Sequence, residues 1–379
     1  MASVPIAQIF TQTPAGPVFA GTPRAEAPPS ASLQTVGRKM RSSARISTAA
    51  ILPHCRPSFL FHHMRGGEGD AAEPRRPPAH LELQSPIAYI TDCRDENGKG
   101  RLKARLTGLF PGCSVQFVGV STDYEAALNL VDIVDAYDGR PGIILANVAR
   151  REGLERKSKW PNGPPFAWLQ LGNIDIFTTV DGYVVSLLQR MLGRDLKLFV
   201  YDIPATVPHM GLSAERQAQV INTQFRSFDY LPLLAAQLLG YASLPVTSVI
   251  SEIPNMPLAL CWVDSFGNIK TNALPEDVGL HDGKMLSGSV VAVRIDDARP
   301  GGRSASVEFR NVLHLPFYNR LKDIPDGQVA LTIGSSGLGS KRFLEIMQQG
   351  ASAASTLALQ SGINIEFVPQ AVNACKREF

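Results

Sequence analysis

Ten residues in the second half of the chain, Val263-Asp-Ser-Phe-Gly-Asn-Ile-Lys-Thr-Asn272, gather several kinds of chemistry. Asp264 brings a carboxylate, Phe266 an aromatic face and Gly267 a bendable backbone. Asn268 and Asn272 add two amides. A set like this can hold a ligand that has a cationic or amine end, hydroxyls and a flat polar ring. The run follows Leu258-Ala-Leu-Cys-Trp262, an apolar stretch that reads as a strand and would hold the polar residues at its end.

Other residues invite a chemical reading. Asp92 closes the apolar run Ile87-Ala-Tyr-Ile-Thr91, and Asn147 closes Ile143-Ile-Leu-Ala146. In open α/β sheets ligands sit beyond the carboxyl ends of strands. An Asp in that position can accept from two ribose hydroxyls, and equally it can form a turn or cap a helix. Arg150, Arg151 and Arg156 follow Asn147 closely. They are either an anion clamp or a solvated loop. Gly334-Ser-Ser-Gly-Leu-Gly-Ser-Lys341 follows a strand and superficially resembles a phosphate loop. Its order is wrong for one, since Ser340 precedes Lys341, and the helix and sheet context is missing. A hairpin turn is the better reading, with or without ligand contacts from Ser335 and Ser336. No Ser-His-Asp or Cys-His arrangement is evident.

Bulk properties narrow the function classes. A chain of 379 residues has room for about two domains and a tail. Hydrophobic residues make up 44% and charged residues 19%, which is ordinary for a globular protein. The net charge of +3 is too small to argue for nucleic acid or an acidic substrate. No run of about 18 apolar residues is present, so no membrane span is expected. The five cysteines make no Cys-x-x-Cys pair, so a reducing compartment is expected. The body of the chain holds only His209, His281 and His314, with no His/Cys cluster for zinc.

The elements that must position these residues fall into three stretches. Residues 1–80 form an extension. Between positions 1 and 66 it carries seven Lys/Arg against one acid, Glu26, and is rich in Ser, Thr, Ala and Pro. It reads as an organelle transit peptide, a disordered tail, or an upstream start with Met40 or Met64 as the true one. The protein is accordingly expected in the cytoplasm, or in an organelle if the first reading holds. Residues 81–250 alternate strands (87–91, 114–120, 142–146, 166–171, 175–179, 196–201) with helices (101–110, 124–137, 183–192, 230–239). That pattern predicts an α/β domain with a central, mostly parallel sheet. Residues 251–370 read as short strands and turns (289–295, 304–309, 328–333, 343–347, 363–368). They predict a smaller all-β, barrel-like domain.

Together these landmarks resemble the S-adenosylmethionine hydroxide adenosyltransferase superfamily, whose relatives include the fluorinase and chlorinase. The family's second domain opens with Ile-Asp-Arg-Phe-Gly-Asn-x-x-Thr-Asn, which Val263–Asn272 matches closely. Ile90-Thr-Asp-Cys-Arg94 is similar in place to the family's first-strand turn, and Thr179-Val-Asp-Gly182 to a later Asn-Gly turn. Ile333-Gly-Ser-Ser-Gly337, Leu344-Glu-Ile-Met347 and Gly350-Ala-Ser-Ala-Ala354 follow the order of the family's closing strands. The likeness spans roughly residues 85–368. It implies that Asp92 and Asp181 belong to the substrate site, with Asp92 on the ribose hydroxyls. It implies Asp264 on the methionine amino group, Phe266 and Asn268 near the adenine, and Ser335 and Ser336 at the methionine end. It further implies S-adenosyl-L-methionine as substrate with no separate cofactor, and a homotrimer with sites between subunits.

The catalytic positions differ from the hydrolytic members, which surround water with an Asp, an Arg and a His. Asn147 stands where the Asp would be and Leu154 where the Arg would be. Arg150 and Arg151 lie nearby, and Phe225 stands where the His would be. Asn147, Arg150 and Arg151 are therefore the catalytic candidates. The expected activity is cleavage of S-adenosyl-L-methionine by water or hydroxide to adenosine and L-methionine. A binding protein without turnover is the alternative, and a structural protein with a vestigial pocket is a third.

Overall fold

The computed structural model describes residues 85–148, 163–279, 289–296 and 309–368. The extension 1–80, together with Arg150, Arg151, Leu154 and Arg156, lies outside the described residues.

Two adjacent interior strands of the first sheet are apolar up to their last residue. In β1 (Ile87–Thr91) and β3 (Gly142–Asn147) every residue is buried. An unbroken apolar run, unlike an alternating one, needs cover on both faces. Helix α1 (Glu96–Leu109) supplies cover on one face through Leu102 and Leu106, next to Tyr89, Ile143 and Leu145. Helix α2 (Asp123–Tyr137) and α3 (Ser186–Leu192) cover the other, where Leu128, Leu130, Val131, Leu187 and Leu188 meet Ile90, Ile144 and Ala146. Helix α1 starts earlier than its apolar spacing predicts. Asp95 caps it, accepting from the Gly98 N–H at 2.8 Å, although Gly98 and Gly100 weaken the helical signal there. Helix α2 is capped by Thr122, which accepts from Glu125 N–H at 3.1 Å.

Seven strands run in the order β2-β1-β3-β5-β4-β6-β7, with β2 Val115–Gly119, β4 Phe166–Leu171, β5 Ile174–Thr179, β6 Leu198–Tyr201 and β7 Ser248–Ile250. The expected mostly parallel sheet is in fact mixed. Pairs β1–β2, β1–β3 and β3–β5 are parallel, whereas β5–β4, β4–β6 and β6–β7 are antiparallel. The cause is local. Only Gly172 and Asn173 separate β4 from β5, too few for a crossover, so the chain folds straight back. Gly172 sits at φ 60°, a left-handed conformation that glycine adopts without penalty. Beyond it lie the short helices α4 (Ile203–Thr206), α5 (Ala214–Ile221), α6 (Arg226–Asp229) and α7 (Leu231–Leu239).

The second sheet closes into a barrel of order β10-β11-β12-β13-β9-β8-β14. Its strands are β8 Ala259–Val263, β9 Ile269–Thr271, β10 Val290–Asp296, β11 Phe309–Tyr318, β12 Val329–Leu338, β13 Lys341–Gln348 and β14 Ile363–Val368; helix α8 (Ala353–Leu357) lies between the last two. Closure removes exposed strand edges. Leu260, Ile269, Val293, Phe317, Leu331, Leu344 and Ile365 fill the interior. Strand β11 begins where the sequence reading ended a strand, at 309, and runs on to Tyr318. Residues 304–308 of that expected strand lie outside the described residues. The Gly334–Lys341 run is the β12–β13 hairpin, with Gly337 paired to Arg342 and Leu338 to Lys341.

Candidate functional site

Strand order determines where a ligand crevice can open. From β1 the chain crosses to β2 on one side, then returns past β1 to β3 on the other. The connections diverge between β1 and β3, the point at which sheets of this kind place their ligands. Thr91 is in register with Asn147, and the Asp92 N–H donates to the Asn147 carbonyl at 3.4 Å. Two sequence-predicted residues therefore meet at the switch point. Asn147 is 7% exposed, and Asp92 is half-buried. The neighbouring strand β5 ends at Thr179, and Asp181 follows two residues later, half-buried. The hydroxyl of Thr179 is buried with no hydrogen-bond partner among the described residues. The loop after β5 is tied down by α2, since Asp123 accepts from Tyr183 N–H at 3.0 Å. Cys93 lies beside Asp92, and burial pushes its thiol up from the ordinary range.

Phe225 has a structural occupation. Its ring stacks on Phe228 with centroids 5.4 Å apart. The Arg101 guanidinium lies 4.8 Å from one ring and 4.7 Å from the other, and Arg105 lies 4.4 Å from Phe228. The same segment reaches β1, because Tyr89 donates its hydroxyl to the Ser227 carbonyl at 2.7 Å.

The barrel residues form a second group. Asp264 folds its own turn: Oδ1 accepts from Phe266 N–H at 2.9 Å and Asn268 N–H at 3.0 Å, and Oδ2 accepts from the Asn268 amide at 3.0 Å. Gly267 completes the turn at φ 81°, with no room for a Cβ against Ser352. The turn leaves Phe266 79% exposed. Asn272 is spent on structure, bridging Ala259 N–H at 2.7 Å and the Pro257 carbonyl at 2.7 Å. Ser335 is exposed and Ser336 is buried.

The sequence reading missed what joins these pieces. Lys270 is buried and donates to Glu345 Oε1 at 2.7 Å; it lies 3.9 Å from Asp264 Oδ2 and 3.5 Å from Ser335 Oγ. Glu345 is fully buried and also accepts from Ser335 N–H at 2.9 Å. The two charges face each other across β9 and β13. A lysine inside the buried β9 and a glutamate inside the apolar run Phe343–Met347 were the available signals, but their pairing needs the strand register. Asp132 of α2 was missed as well. It accepts from Gly337 N–H at 2.9 Å, and burial raises its carboxyl above the usual range, against the lowering effect of Gly337 and Ser336.

Among the described residues no group of three or more His, Cys, Asp or Glu could hold a metal ion, and no helix is long and apolar enough to cross a membrane. No family model matches the chain, and no curated protein matches it. Solved structures do. The chain is similar to the crystal structure of an uncharacterized conserved protein from Thermotoga maritima, at 18% identity and a TM-score of 0.51, covering 74% of this chain and 100% of that one. A conserved hypothetical protein from Thermus thermophilus shares 18% identity, with a TM-score of 0.43 and coverage of 75% and 100%. The Thermotoga likeness is one of fold alone.

Proposed function

We propose that this chain binds S-adenosyl-L-methionine at the β1–β3 switch point and cleaves it with water, giving adenosine and L-methionine. The observation that carries the reading is the junction of Asp92 with Asn147 at the carboxyl ends of β1 and β3. A carboxylate there can accept from both ribose hydroxyls. The exposed Phe266 ring supplies a π face for adenine. It also supports a homotrimer in which this turn closes over the switch point of the neighbouring subunit.

The chemistry asks little of the protein. The water oxygen forms a bond to C5′ as the C5′–sulfur bond breaks. The electron pair of that bond passes to the sulfonium, which leaves as the neutral thioether of methionine. No general acid is required, and the water proton goes to solvent. The protein must align the water and strip its hydration. Asn147 orients the water through its amide, with Arg150 and Arg151 as the other candidates near it. Asp92 and Asp181 hold the nucleoside side, and Asn268, Ser335 and Ser336 hold the barrel side.

A second reading, binding without turnover, is favoured by two observations. Asn147 offers an amide, which cannot act as a base, and Phe225 is locked in an aromatic–arginine stack. Incubating the full chain with S-adenosyl-L-methionine, with chromatography for products and calorimetry for binding, separates the two. Adenosine and methionine in equal amounts support cleavage. Heat of binding without product supports the second reading, and neither heat nor product rejects both.

A further inference from the structure

An ionised carboxylate offers about four acceptor directions. At Asp264 three are taken by the amides of its own turn, and the fourth faces the Lys270 ammonium at 3.9 Å. Lys270 cannot easily withdraw. It is 5% exposed and is pinned by Glu345 at 2.7 Å. Its ammonium stands between the Asp264 turn and Ser335, the two segments that would receive the methionine end of the ligand. A ligand ammonium arriving there would meet a carboxylate already satisfied and a cation of its own sign.

We infer that Lys270 is the resident cation of this site, and that the site recognises an adenosyl sulfonium by its nucleoside without reading an α-ammonium on the tail. The substrate class thereby widens to 5′-sulfonium nucleosides whose tails lack the amine. This inference rests on the proposed adenosyl site and specifies what that site discriminates.

Calorimetry on the full chain tests it with two ligands. One is S-adenosyl-L-methionine. The other is its deaminated analogue, which keeps the sulfonium and the carboxylate and carries hydrogen in place of the amino group. The expected result is that the two dissociation constants agree within about threefold, or that the deaminated ligand binds more tightly, since no net ammonium contact is lost. In the Lys270→Met/Glu345→Gln variant both buried charges are removed together and the fourth direction of Asp264 opens. There S-adenosyl-L-methionine should gain roughly tenfold over the deaminated ligand, the scale of one charged hydrogen bond. A wild-type preference of tenfold or more for S-adenosyl-L-methionine overturns the inference and leaves the adenosyl site standing. Binding of neither ligand rejects the adenosyl site and the inference with it. A folded variant with no gain overturns the role given to Lys270; if the variant does not fold, the wild-type comparison decides alone.

Discussion

At the scale of single residues, Asp92 and Lys270 carry most of the argument. Asp92 is half-buried at the switch point with its main chain fixed to Asn147. Asp92→Asn keeps the shape and removes the charge, so affinity for S-adenosyl-L-methionine should fall by about 1.5–3 kcal/mol, the range for hydrogen bonds to charged groups. Calorimetry reads this directly, and an unchanged affinity would remove Asp92 from the site. Lys270 makes a different prediction. Replacing it alone with Met strands the fully buried Glu345, which already has one oxygen, Oε2, with no hydrogen-bond partner among the described residues. A loss of about 3–5 kcal/mol in denaturant unfolding is expected. The double change Lys270→Met/Glu345→Leu should recover part of that loss, because an apolar pair of similar volume needs no desolvated charge, although the Ser335 N–H then loses its acceptor. Asp92, Asp264 and Phe266 were legible in the sequence as residue types at strand ends. The Lys270–Glu345 pair was not, because the two residues are 75 positions apart and meet only across two strands.

Elements differ in how far sequence could locate them. Strands β1 and β3 were plain because they are unbroken apolar runs. The antiparallel half of the sheet was not, although the two-residue link between β4 and β5 held the information. That half buries an acid at its foot. Asp175 of β5 is fully buried, accepts from Trp168 Nε1 at 2.8 Å, and lies opposite Gln170 in the register. Burial raises its carboxyl from 3.8 to about 6, and the Trp168 contact only partly opposes this. The folded form therefore holds its proton more tightly than the unfolded chain. The stability that this proton confers is fully present below about pH 4 and is lost as pH rises through about 6. Asp175→Asn keeps the acceptor for Trp168 and never charges. It should stabilise the fold at pH 8 by on the order of 2–3 kcal/mol and change little at pH 4. Thermal melts at the two pH values check this, and an equal effect at both would refute it.

For the whole molecule, the barrel and the α/β layer share one core. Ala259, Cys261, Leu274 and Phe343 of the barrel side pack with Leu128, Val131 and Leu187 of α2 and α3. Polar ties surround that core. Arg342 reaches Asp135 at 2.7 Å, Arg190 reaches the Asn272 carbonyl at 2.9 Å and Asp277 at 2.7 Å, and Gly339 N–H donates to Asp135 at 2.7 Å. The described residues of the α/β layer and the barrel fall within one compact unit. Calorimetric unfolding should accordingly show one transition, and Arg190→Ala combined with Arg342→Ala should lower its midpoint by a few degrees at most without splitting it, since a domain of about 150–250 residues shifts by about 2–4 °C per kcal/mol and a larger one by less. Two separated transitions would refute the shared core. The sequence by itself determined the longer strands and helices of the α/β domain and the polar residues at their ends, because apolar periodicity and capping are local properties; the short helices after β6 and the brief strands β7 and β9 carry too few residues to show a period. Only the tertiary structure decided that Asp92 and Asn147 meet at a switch point, that the sheet turns antiparallel beyond β5, and that Asp264 shares its carboxylate with a buried lysine. Those facts depend on strand order and register, which the packing of distant segments sets and no single stretch of sequence contains.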